Sequence, residues 1–164
     1  MEALAAGTLA PTFSLKDGEG KSHTLAEALK QGPVLLAFFK VSCPVCQFTF
    51  PFLERLHQGV KSKNSVRLWG ISQDDARDTR DFAREWGCSF PLLIDEEGYP
   101  VSNHYGLTNV PTLFLVRPDG RIQVSSIGFD RKDIEAVAAE FGKLTGQRIP
   151  VFQPADNVPH YKPG

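Results

Sequence analysis

Val34-Leu35-Leu36-Ala37-Phe38-Phe39, followed closely by Cys43-Pro44-Val45-Cys46, is the stretch on which the fold turns. The first run carries no charge and no breaker, and reads as a buried strand. Beyond the second, Cys46, Phe50, Leu53, Leu56 or His57, and Val60 recur at three- and four-residue spacing, so the chain enters a helix. The cysteine pair therefore sits where a strand ends and a helix begins. There Cys43 meets unpaired backbone N–H groups and the positive end of the helix dipole, both of which favour the nucleophilic thiolate. Cys46, one helical turn on, can close a ring with it. Pro44 fits the first helical position, where its missing N–H costs little. The pair reads as a dithiol–disulfide couple.

Outward from this stretch the chain alternates strand and helix. Phe13-Ser14-Leu15 and the turn Asp17-Gly18-Glu19-Gly20 predict an N-terminal hairpin, then a short helix from Leu25 to Leu29 that Gln31-Gly32-Pro33 ends. The helix after the cysteines runs to about Val60, and Pro51 inside it predicts a kink. A strand is expected at 66–71. Asp74 or Asp75 then caps a helix whose apolar face includes Phe82 and Trp86. A short strand at 90–94 closes at Asp95-Glu96-Glu97-Gly98. Strands at 112–116 and 122–127 flank Pro118-Asp119-Gly120-Arg121, a hairpin signal. Asp130 or Asp133 starts a last amphipathic helix through Ile134, Val137, Ala138, Phe141 and Leu144. From Gly146 onward, Pro150, Pro154, Pro159 and Pro163 predict an extended or disordered tail, and the sequence does not decide whether it packs across the domain or binds a partner.

Bulk composition bounds the function. At 164 residues, with 41% hydrophobic and 23% charged, the chain suits one compact domain. A net charge of −1 gives no electrostatic case for nucleic acid or an anionic membrane. Three cysteines do not make a structural disulfide framework. No apolar stretch is long enough to span a bilayer. The start, from Met1 to Ala10, lacks a basic segment followed by a continuous apolar one, so the expected location is cytoplasmic, or periplasmic if a leader has been trimmed.

The order βαβ, then β-hairpin and helix, resembles the thioredoxin fold. Cys43-Pro44-Val45-Cys46 stands at that fold's active-site position. Pro51 matches its helix-kinking proline, and Asn109-Val110-Pro111-Thr112 matches the segment whose proline is cis in that superfamily. The frame Ala10-Pro11-Thr12-Phe13-Ser14-Leu15, Phe90-Pro91-Leu92-Leu93-Ile94-Asp95, Tyr105-Gly106 and Phe114 to Gly120 is similar to the redoxin branch. That branch groups alkyl-hydroperoxide-reductase-like (AhpC/TSA-like) proteins with TlpA-like thiol-disulfide oxidoreductases. The likeness covers residues 7–145. It implies an α/β thioredoxin fold, with a central mixed β-sheet flanked by helices, an N-terminal hairpin extension and an extended C-terminal tail. The expected division is a redoxin domain at 1–145 and a Pro-rich tail at 146–164.

The resemblance further implies a thiol-disulfide oxidoreductase with Cys43 as nucleophile and Cys46 as resolving thiol. Pro44, Val45, Val110 and Pro111 would form the partner-binding face, a cis Pro111 holding the Val110 backbone for strand-like pairing with a substrate chain. Partners would be disulfide-containing proteins and a thiol electron donor, with no cofactor, no metal, a monomeric or weakly dimeric state, and an antioxidant role. The departures are equally specific. The buried acid that many thioredoxins keep before the first cysteine is Ala37 here, and the aromatic immediately before it is Ser42. Lys40 is either a charge near Cys43 or a solvated strand end. Proton transfer from the resolving thiol then uses water or a residue that the sequence does not single out, such as Glu54, Asp74 or Asp75.

Two other chemistries fit less well. A peroxiredoxin carries Pro-x-x-x-Thr/Ser-x-x-Cys, and neither Leu36 and Lys40 before Cys43 nor Phe39 and Cys43 before Cys46 supply it. A tetrahedral metal site needs two ligands beyond the cysteines, and His23, His57, His104 and His160 show no ligand spacing. A non-catalytic interaction module is the third alternative. Cys88 reads as a small buried hydrophobe, His57 as half-buried packing, and Trp69 and Trp86 as packing residues. Among the 12 phenylalanines, Phe38, Phe39, Phe48 and Phe50 cluster around the motif, where some form an apolar rim for partners.

Overall fold

The computed structural model describes residues 2–164; Met1, the first residue of the N-terminal stretch read above, lies outside it. In chain order the elements are β1 (Ser14–Lys16), β2 (Ser22–Thr24), α1 (Leu25–Leu29), β3 (Val34–Phe39), α2 (Pro44–Val60), β4 (Arg67–Ser72), α3 (Ala76–Trp86), β5 (Leu92–Ile94), α4 (Pro100–His104), β6 (Thr112–Val116), β7 (Ile122–Ile127), β8 (Phe129–Asp130), α5 (Arg131–Thr145) and β9 (Tyr161–Lys162). The central sheet has the order β5-β4-β3-β6-β7. β3 pairs parallel with β4 and antiparallel with β6, so the sheet is mixed. This is the thioredoxin fold, with β1 and β2 as a separate N-terminal hairpin.

β3 is central because both of its faces are apolar. Leu35, Ala37 and Phe39 pack on one side with α2, α3 and α5, while Val34, Leu36 and Phe38 pack on the other with α1, Trp69 and Tyr105. The period-two alternation of strand side chains puts every second residue into each of these two cores. Phe38, Phe39 and Phe50 are all fully buried, so they are core and not rim; Phe48 alone of the four is partly exposed. α2 passes unbroken through Pro51 and buries Cys46, Phe50, Leu53, Leu56 and Val60 as the spacing predicts, together with Thr49 and Phe52.

Two capping choices resolve. Asp75, not Asp74, caps α3 by accepting the Asp78 N–H at 2.8 Å, and Asp130 caps α5 by accepting the Asp133 N–H at 3.1 Å. Each such cap contributes about 1 kcal/mol. Leu144, placed on the apolar face of α5 by its spacing, is instead 46% exposed in the last turn.

α4 is an element that the sequence pattern does not predict. Its N-terminal N–H groups are met by Asp95, which is buried and accepts from Val101 N, Ser102 N and Ser102 Oγ at 3.1, 2.7 and 2.8 Å. Nor does the segment after Gly146 run free. Val151 is buried, Arg55 holds Asp156 through two hydrogen bonds of 2.7 and 3.0 Å, and β9 pairs antiparallel with β8.

Candidate active site

β3 delivers the chain to Lys40-Val41-Ser42, and Cys43 becomes the N-cap of α2 with extended backbone, φ −82° and ψ 115°. Its sulfur does what a serine or aspartate oxygen does at other caps: it accepts the Cys46 N–H, at 3.2 Å. The Cys43 thiol also donates to the Val110 carbonyl at 3.4 Å. Pro44 is exposed, and Val45 and Val110 are partly exposed. The Val110–Pro111 peptide bond is cis and Pro111 is buried. The structure thus gathers Cys43, Cys46, Val110 and Pro111, with Pro44 and Val45 flanking the sulfur on the helix side.

Cys43 and Cys46 are free thiols in different surroundings. Cys43 is partly exposed, whereas Cys46 has no exposed surface. Burial pushes the Cys46 thiol well above the ordinary cysteine range, helped by its hydrogen bond with Cys43 and by the negative charge of Asp74. Lys40 is exposed at the strand end.

The loop before Cys43 is clamped by two side chains outside the expected site. Asp74 Oδ2 accepts the Val41 N–H at 2.8 Å, and Gln47 Nε2 donates to Val41 O at 2.9 Å. Asp74 is itself held at its own N–H by Ser72 Oγ, at 3.0 Å. Among the three candidate acids, Asp75 is spent as a cap and Glu54 faces the other way, accepting Ser89 N and Ser89 Oγ at 2.8 and 2.7 Å. Asp74 is the one whose charge acts on Cys46. The doublet Asp74-Asp75 was the available signal, since a helix start uses only one cap. Gln47 carried none.

Cys88, directly after the left-handed Gly87 that ends α3, is partly exposed; burial and the nearby Glu54 carboxylate push its thiol up to about 12. His57 packs edge-on against Phe90, and burial lowers its pKa.

A strand-to-helix CxxC beside a cis X-Pro segment in this sheet defines a thioredoxin-fold dithiol protein. Residues 6–125 match the AhpC/TSA family, and the chain belongs to it. It is 31% identical over 122 residues to the thiol-disulfide oxidoreductase ResA of Geobacillus thermodenitrificans, covering 74% of this chain and 68% of that protein. The ResA of Bacillus anthracis is 31% identical over 133 residues, 80% and 75% of the two chains. The chain is a thiol-disulfide oxidoreductase. The thioredoxin domain of such an enzyme from Bacteroides vulgatus superposes with a TM-score of 0.73 at 24% identity, covering 85% of this chain and 99% of that one. A peroxidoxin, BcpB of Mycobacterium tuberculosis, reaches 0.70 at 22% identity over 86% and 98%, so the fold is shared across both chemistries.

Proposed function

We propose that Cys43 and Cys46 form a reversible dithiol couple that reduces disulfides in partner proteins. One observation carries this reading: a partly exposed cysteine whose sulfur caps a helix N-terminus, with a fully buried thiol one turn behind it. The Cys43 thiolate attacks one sulfur of the partner disulfide, forming a Cys43–partner bond and releasing the other partner sulfur as a thiolate that takes up a proton. The charge of the attacking Cys43 thiolate is stabilised beforehand by the Cys46 N–H and the positive helix end. Cys46 then gives up its proton and attacks Cys43, closing the ring and releasing the second partner thiol. Two electrons and two protons pass to the partner, and an external dithiol restores the couple.

Burial keeps Cys46 protonated until the mixed disulfide forms, so it does not compete as a nucleophile. Asp74 is the group proposed to draw off its proton. Val110, with Pro111 behind it and Pro44 and Val45 across the sulfur, is the face a partner meets. In a cytoplasm that holds dithiols reduced, the couple runs as a reductant.

The test is an equilibrium redox titration against dithiol buffers, with thiols trapped and located by mass spectrometry. A reversible Cys43–Cys46 couple near about −270 mV is expected, and one near about −120 to −180 mV would mark an oxidant or isomerase instead. Failure to form that disulfide at any poise overturns the reading.

A further inference from the structure

The backbone beside Val110 already has another stretch of the chain against it. β9 lies antiparallel on β8, and Gly164 follows it onto the Val110 carbonyl, the same oxygen that accepts from Cys43. The approach is so close that a Cβ added to Gly164 would sit 2.2 Å from Val110 O and 3.3 Å from Pro111 N. On the other side of the strand, a Cβ on Gly128 (φ +78°) would sit 2.5 Å from Lys162 O. Backbone touches backbone at both points, as it does when an extended peptide docks on a strand edge. The side chain of Lys162 lies over the Phe48 ring, 4.7 Å from its centre, covering the one exposed aromatic of the motif region.

We infer that residues 161–164 occupy the groove that an extended segment of a protein partner must enter to reach Cys43, and that partner and strap compete for it. This rests on the dithiol reading above. The strap is built to leave. Its ladder is two residues long, extended only by the Arg131 N–H to His160 O bond of 2.9 Å, and Tyr161 is 50% exposed. The segment before it is held firmly by buried Val151 and by Arg55, which reaches both Asp156 and the Val151 carbonyl. Between the two parts, Asn157 turns with φ +48°. A strap anchored at one end and weakly paired at the other stays at high local concentration and still yields to a partner. Cys43 stays partly exposed with the strap in place, so the proposal leaves small disulfides able to react there without displacing it.

Because Arg131 and His160 share a ladder hydrogen bond, the antiparallel alternation makes Phe129–Lys162 the next bonded pair. Lys162→Pro removes that donor and leaves the anchor intact. The experiment measures kcat/KM for insulin disulfides and for hydroxyethyl disulfide, with dithiothreitol as electron source. The proteins are the native chain, Lys162→Pro, and a chain ending at Asn157. Releasing the strap should raise the insulin value about three- to tenfold, the factor by which the occupied state withheld the site, with the small disulfide unchanged within about twofold. A synthetic peptide of the sequence 158–164 should bring the insulin value back down. An insulin value that stays level or falls in Lys162→Pro, with hydroxyethyl disulfide turnover intact, overturns the strap alone. Turnover of neither disulfide by the native chain overturns the dithiol reading beneath it.

Discussion

Cys46 and Cys88 hold the same group at opposite ends of helices. Burial is the chief cause of a raised thiol pKa at both, and each has a carboxylate acting on it, Asp74 at Cys46 and Glu54 at Cys88. Cys46 lies in the first turn of α2, where its own N–H points at the sulfur of Cys43. Cys88 lies just past the last turn of α3 and donates its N–H to the Ala83 carbonyl, so it faces the negative end of a helix. A thiol whose pKa is raised this way stays protonated, and so a poor nucleophile, in either place. What marks Cys46 out as half of the proposed couple is a second sulfur at the positive helix end, within a turn and on a partly exposed residue.

The sharpest way to break this comparison is substitution. Cys43→Ser should lower disulfide turnover by on the order of 10³-fold or more, while Cys88→Ser stays within about twofold. Cys46→Ala should stall as a Cys43–partner mixed disulfide visible by mass spectrometry. Equal losses at Cys43 and Cys88 would erase the distinction.

Alkali supplies the next effect. A pKa raised by folding stabilises the native state fully below the ordinary value, and that stability is lost as pH climbs toward the folded value. Reduced protein should therefore melt at falling temperature above about pH 9, where unfolded cysteines begin to ionise and Cys46 and Cys88 do not. Tyr105, raised by burial, adds to the loss above about pH 10. Cys88→Ala should remove only part of the slope, up to about pH 12, and leave the part that belongs to Cys46.

The carboxylates give the smallest change. Glu54→Gln should lower the Cys88 titration midpoint while leaving turnover alone. Asp74→Asn should lower the Cys46 midpoint and also slow release of the partner, by about two- to tenfold, with an altered pH profile. If both variants leave both midpoints unmoved, burial alone sets these thiols.

Much of this was legible locally. The apolar run at 34–39, the cysteine spacing and the helical face beyond it are short-range patterns, and each dictates its element through hydrogen-bond geometry within a few residues. Other choices were not local. A strand buried on both faces hides which of Phe38 and Phe39 faces which core, so their role as a rim or as interior could not be separated. Asp74 and Asp75 are chemically equal until the turn after β4 aims one at Val41 and the other at the start of α3.

The chain thus carries in its order of residues its main strands and helices and the placement of Cys43 and Cys46 at a helix start, because periodicity and capping act over one or two turns. The partner of Asp74 and the lodging of residues 161–164 beside Val110 depend on segments far apart in sequence. Their contacts arise only when the chain folds back on itself, and no local pattern encodes which distant backbone will lie against a glycine.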